Sequence, residues 1–167
     1  PAGWETAGRA DIEQNLTVFD DPERGRVARL TCTHYVGGSP DAHVMLAQLG
    51  KVGVRRGRWY KFSLWARGED LGGASVQVGL SNTRNWSATG LGGSFAPTPG
   101  WKRYEFFFRA KQDLAPRDSR LQIWFHGTGT LYVDDVAMEE LKQFKKEWHP
   151  AYSLKDVPNA LPNSGFE

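Results

Sequence analysis

The 167-residue sequence contains a single cysteine, Cys32. That excludes an intramolecular disulfide and a thiolate metal cluster. Cys32 shares parity with Ala28 and Leu30, which predicts a buried small hydrophobe there. Nor is there a run approaching the roughly 18 apolar residues of a membrane span, and no signal peptide opens the chain, so no membrane partner is expected. The opening Pro1-Ala2-Gly3 reads as a piece cut from something longer. Charge of one sign is missing as well. Twenty-one Lys and Arg against 19 Asp and Glu leave a net +2, with the two signs mixed along the chain. A nucleic-acid partner is therefore not expected. Helical periodicity is nearly absent, and only Glu139 to Trp148 reads as a short helix.

Aromatic residues are abundant: they make up 13% of the chain and include seven tryptophans, more than a core of one domain needs, so some rings should face outward. Turn residues punctuate strand-like stretches near residues 11–19, 26–35, 43–49, 58–67, 74–81, 100–110, 120–126 and 130–139. This spacing predicts an all-β sandwich. Asn82 to Gly100, rich in Gly, Ser, Thr and Asn, reads as one long loop, the place where a rigid sandwich carries variable function. Beyond the helix, "HPAYSLKDVPNALPNSGFE" has the composition of an extended linker.

Parity within the strands separates core from surface. Tyr60, Phe62, Leu64 and Ala66 form one face, as do Val76, Val78 and Leu80, and again Leu121, Ile123 and Phe125. The opposite faces carry Lys61, Ser63, Trp65 and Arg67, then Ser75, Gln77, Gly79 and Ser81, then Gln122, Trp124 and His126. Read as one surface, they mix flat rings with amides and hydroxyls. Sugars present apolar C–H faces ringed by hydroxyls, and that mixture suits them. The stretch "LQIWFHGTGTLYVDDV" (121–136) reads as a hairpin turning at Gly127-Thr128-Gly129, with its parity shifted at Asp134-Asp135.

Three segments carry a family resemblance: "GRWYKFSLWARGED" (57–70), "PGWKRYEFFFRA" (99–110) and "GTLYVDDVAMEE" (129–140). In order and spacing they resemble carbohydrate-binding modules of the family 4/9 type, over about residues 3–140. The resemblance implies a jelly-roll β-sandwich of two antiparallel sheets, galactose-binding-domain-like, secreted or cell-surface, binding polysaccharide and covalently linked to a catalytic or second binding module. It implies a binding sandwich over 1–140, a linker over 141–160 and a strand-like segment over 161–167. That last segment, Leu161-Pro162-Asn163-Ser164-Gly165-Phe166-Glu167, resembles the strand with which such modules begin, and no such strand precedes Trp4. It is expected to pair with a sheet, in the same molecule or a neighbour, or else to open a second module. The family's ligand positions fall at about His43, Trp86 and Trp124, with Tyr35 as a substitute for the ring that His43 replaces. Gln122 and Gln77 join them for hydrogen bonding, and Trp65 and His126 by parity. The family's structural calcium would be held here by Asp135 and by Glu167 in place of a first-strand glutamate.

Quieter readings stand beside these. Trp65 also fits a framework ring packed under a loop, Trp86 a loop anchor, Trp101 and Tyr104 core positions, and His126 and His34 ordinary surface residues. Adjacent carboxylates on a strand point to opposite faces, so Asp134 and Asp135 do not flank one glycosidic bond. Glu105 is the remaining outward acid expected beside Trp124. No nucleophile motif or phosphate-binding glycine loop is present. The sequence thus favours a non-catalytic binding module for a neutral β-linked glucan or xylan, with acidic glycans as an extension if Lys61 and Arg67 share the face. A structural spacer is the rival, and a lyase using Lys61, Arg67, His126 and Tyr132 is a third reading.

Overall fold

The computed structural model describes residues 3–142. Ten strands form in chain order: β1 (Glu5–Ala7), β2 (Glu13–Asp21), β3 (Gly25–His34), β4 (Val44–Leu49), β5 (Trp59–Glu69), β6 (Val76–Asn82), β7 (Ala88–Phe95), β8 (Lys102–Arg109), β9 (Ser119–Phe125) and β10 (Gly129–Leu141). The single helical element among the described residues is a 3-10 turn over Pro116–Asp118. Two five-stranded sheets result, ordered β1-β4-β9-β6-β7 (sheet A) and β2-β3-β10-β5-β8 (sheet B). All pairings are antiparallel. The architecture is the expected jelly-roll sandwich.

The inward parity builds the core. Phe62, Leu64 and Ala66 of β5, Val76, Val78 and Leu80 of β6, and Leu121, Ile123 and Phe125 of β9 are each no more than 2% exposed. Fully burying a side chain of this size contributes roughly 1.5–3 kcal/mol before conformational entropy is charged against it. Phe95, Tyr104 and Phe106 pack ring on ring where the edges of the two sheets meet. Cys32 is buried, as expected.

Four local expectations are corrected. The loop read over 82–100 contains a strand, β7. Its glycines lower strand propensity, yet one is required: a Cβ on Gly93 would stand 2.6 Å from the Phe106 ring. The segment 121–136 is not a hairpin, because β9 lies in sheet A and β10 in sheet B. Residues 139–141 continue β10 rather than starting a helix, and the rest of that expected helix lies outside the described residues. Finally, the parity shift expected at the acidic pair is present, as a register shift between Asp134 and Ala137 with Asp135 at φ 48°, but it overturns the opposite-face reading of the two carboxylates. Both carboxylates therefore reach one guanidinium. Arg24 Nε donates to Asp134 Oδ2 at 2.8 Å and its Nη2 to Asp135 Oδ2 at 2.6 Å.

Candidate functional site: the outer face of sheet A

Cross-strand register lays out the outer face of sheet A in rows. Ala7, Met45, Trp124, Gln77 and Ser94 form one row; Glu5, Ala47, Gln122, Gly79 and Gly92 form the next. Leu49, Arg120, Ser81 and Ala88 form the third. With strands about 4.8 Å apart, the small residues of β6 and β7 leave a shallow floor beside the larger side chains of β9. Gly79 is central to it. A Cβ there would lie 3.3 Å from the Trp124 ring and 3.3 Å from Gln122 Nε2, so the indole lies across this glycine.

Polar groups on β9 are chained together. Arg120 Nε donates to Gln122 Oε1 at 2.8 Å, and Gln122 Nε2 donates to Ser81 Oγ at 3.2 Å. The Arg120 guanidinium stacks on the Trp86 ring, 4.4 Å from its centroid. Burial pushes this guanidinium below its ordinary pKa. Trp86 sits in the β6–β7 connection and is 60% exposed. Its backbone is left-handed, φ 57°, a conformation that costs a tryptophan of order 1 kcal/mol. Hydrogen bonds around it hold the turn: Trp86 N donates to Asn82 O at 2.7 Å, Asn82 Nδ2 to Gln112 Oε1 at 3.0 Å, and Gln112 Nε2 to Ser87 Oγ at 2.8 Å.

Gln77 lies in register with Trp124, and among the described residues its amide has no hydrogen-bond partner. His43 precedes β4 at the same end of the sheet as Trp124. Burial, then the charge of Arg120, pushes its imidazole below the ordinary value, so it is neutral at pH 7. Tyr35 donates its hydroxyl to Ala42 O at 2.8 Å and meets the exposed His126 edge to face at 6.4 Å. Its hydroxyl is thus committed to the loop before His43.

Trp65 is not on this face. It belongs to β5 in sheet B, as do Lys61 and Arg67, and the reading that joined their parity to that of Trp124 is corrected by the topology. Parity tells which residues share a strand face but not which sheet the strand joins. The Trp65 ring is covered by Arg24, 4.4 Å from its centroid. Glu105 is also on sheet B, between Lys61 and Arg103. Sheet B is charge-paired throughout this region: Arg67 meets Asp21 and Glu69, and Lys61 meets Glu139. The cluster required for a lyase is divided, with Lys61, Arg67 and Tyr132 on sheet B and His126 just past β9 of sheet A.

Arg120 was absent from the sequence-derived candidates, although it shares the parity of Gln122 and Trp124. The expected calcium ligand Asp135 is engaged by Arg24, and its expected partner Glu167 lies outside the described residues. Among the described residues no three His, Cys, Asp or Glu side chains gather as a metal site. Two committed groups, a carboxylate and the guanidinium it faces, do not by themselves fit a divalent cation. The segment 161–167 also lies outside the described residues. Ala137–Leu141 of β10 pair only with β5 among them, and Val136 and Met138 border a cavity of about 270 Å³ also lined by Trp4, Leu46, Val52 and Leu121. Gln48, Asp134 and Asp135 also line that cavity, so it is of mixed character, and it lies apart from the Trp124 face.

Fold and face together define a jelly-roll sandwich with an aromatic and amide-bearing outer sheet. No protein-family model and no curated protein sequence matches the chain. Solved structures do match in fold. A family 4 carbohydrate-binding module (CBM4) superposes with a TM-score of 0.65 at 17% identity, covering 84% of this chain and 96% of that one. The N-terminal cellulose-binding domain of Cellulomonas fimi β-1,4-glucanase C gives 0.58 at 19% identity, with 86% and 92% covered. The family 22 module and catalytic domain of Clostridium thermocellum xylanase 10B, solved with xylohexaose, give 0.56 at 15% identity, with 82% and 26% covered. The chain has the fold of carbohydrate-binding modules.

Proposed function

We propose that this chain is a non-catalytic polysaccharide-binding module of the family 4/9 type, secreted or cell-surface, that holds an attached enzyme against a β-linked chain of the glucan or xylan kind. The observation that carries the reading is Trp124, a half-buried indole laid across Gly79 with the amides of Gln122 and Gln77 beside it. A sugar ring stacks on such a plane while its hydroxyls meet the amides. Trp86 supplies a second exposed plane at the far end of β9. The fold shared with a domain named for cellulose binding, and with a module solved beside its catalytic domain in complex with xylohexaose, supports the same class of ligand. A non-catalytic role is supported by the acids: among the described strand residues of this outer face, Glu5 is the single carboxylate, whereas glycoside hydrolysis uses two.

Affinity electrophoresis against β-glucans, xylan and mannan tests this. We expect retardation by at least one β-linked polymer, lost in Trp124→Ala while thermal unfolding stays cooperative. Absence of retardation on every polymer would leave the spacer reading.

A further inference from the structure

We propose that the outer face of sheet A selects a glycan bearing carboxylates, a uronic-acid-containing chain, and that Arg120 is the residue that recognises the acid. The proposal rests on the polysaccharide-binding reading above and sharpens it. Its basis is a comparison of cations. Arg24, Arg67 and Lys61 have side chains only 19%, 14% and 21% exposed, and each touches at least one carboxylate. Among the described residues Arg29 forms no ion pair, but it stacks over Phe19 and lies in the field of Glu69. Arg120 is also partly buried, yet among the described residues no acid forms an ion pair with it.

The surroundings of Arg120 define what is missing. Trp86 covers one face of the guanidinium, and Gln122 takes Nε. Neighbours in the rows around it are Leu49, Ser81, Gln122 and Gly79, all neutral. Glu5, the acid of this face, stands in the edge strand, in register with Ala47 rather than with Arg120. The two Nη groups have no acceptor among the described residues. A partly desolvated charge without a counter-ion costs stability, and the cost disappears when an anion arrives. A guanidinium held flat by an aromatic ring, with its Nη edge open, matches a planar carboxylate by two parallel hydrogen bonds. The hydroxyl of a neutral sugar gives neither the charge nor the fork. Lys61 and Arg67, from which an acidic preference would otherwise be argued, are neutralised on the opposite sheet.

The test compares polymers that differ only in the acid. Glucuronoxylan, polygalacturonate and alginate are each titrated by calorimetry beside a counterpart whose carboxyls have been reduced to primary alcohols. The wild-type protein is expected to bind at least one acidic polymer tenfold or more tighter than its reduced form, with the ratio shrinking as salt rises. In Arg120→Met the ratio should fall to about one, and in Arg120→Lys, which keeps the charge but not the fork, to an intermediate value. Circular dichroism checks that the variants fold, and if Arg120→Met does not, the wild-type ratios and the lysine variant decide. Equal or weaker binding of every acidic polymer, with the reduced chains still bound, would overturn the role of Arg120 and leave the polysaccharide reading standing. A ratio that persists in Arg120→Met would also overturn it. Failure to bind any of the six polymers, or any neutral β-glucan, would sink both.

Discussion

The two outer faces of the sandwich use the same chemistry to opposite ends. Each sets an arginine against a tryptophan at 4.4 Å, Arg24 on Trp65 in sheet B and Arg120 on Trp86 in sheet A. On sheet B the system is closed. Arg24 is held by Asp134 and Asp135, and Asp21 accepts from Arg67 and from the Trp101 indole, so the rings are covered and the charges met. On sheet A the ring of Trp86 is exposed, and among the described residues the Arg120 guanidinium meets no acid and the Gln77 amide no hydrogen-bond partner. A binding surface is marked less by its composition than by what it leaves unsatisfied.

Exchanging the perturbation between the faces should give the largest effects. Trp124→Ala is expected to weaken glycan binding by about 30-fold or more, the scale of an interface hot spot of about 2 kcal/mol, with little change in melting temperature. Trp65→Ala should do the reverse: binding within twofold of wild type and a loss of about 2 kcal/mol in stability, as Arg24 loses its stacking surface. Calorimetry and urea unfolding on both variants check this. If Trp65→Ala impaired binding and Trp124→Ala did not, the site would belong on sheet B.

Much of this arrangement was legible in the sequence, and its failures have identifiable causes. The alternation of β5, β6 and β9 marked the inward residues because one face of each strand is buried. Trp124, Gln122 and Gln77 followed as outward residues from the same pattern. Trp65 was misplaced because β5 and β6 are consecutive in the chain yet join different sheets. The strand β7 was hidden because Gly90, Gly92 and Gly93 read as a loop, whereas one of them makes room for an aromatic ring of the other sheet. The parity shift at the acidic pair was legible, but the opposite-face reading of its two carboxylates failed because the bulge lets both reach Arg24. Arg120 was legible by parity but not by role, since the absence of a counter-ion is a property of three-dimensional neighbours.

The faces should also separate in their response to acid. For Asp21, burial acts upward, but the amides of Glu23 and Arg24, the Trp101 indole and the Arg67 guanidinium outweigh it, leaving the carboxyl below its ordinary range. A depressed folded value stabilises above the unfolded pKa, about 3.9, and the contribution is lost as pH falls below that through the folded value. Glu69, depressed first by its hydrogen bond from Arg67, acts in the same direction. On the other face His43 is depressed by burial and then by Arg120, so its loss begins as pH falls below about 6.5. Melting temperature against pH should therefore decline in two stages. His43→Asn is expected to remove the upper one and Asp21→Asn to flatten the lower one. A single acid transition, unchanged in both variants, would refute the separation.

The finest discrimination comes from one methyl group. Gly79→Ala places a Cβ 3.3 Å from both the Trp124 ring and Gln122 Nε2, closer than these neighbours accept without shifting by a few tenths of an ångström. The backbone should gain, because alanine loses less conformational freedom than glycine in a strand, by roughly 0.5–1 kcal/mol. The ring, however, is lifted from the floor on which it lies, and the amide beside it is displaced from Ser81. We expect a variant at least as stable as wild type that binds its glycan about threefold more weakly. Gly92→Ala, on the same face but with open space around its Cβ, is the control and should bind within error of wild type. Stability and affinity moving in opposite directions at Gly79 and not at Gly92 would tie affinity to the position of the Trp124 plane. Equal binding by both variants would mean that the ligand does not read that plane.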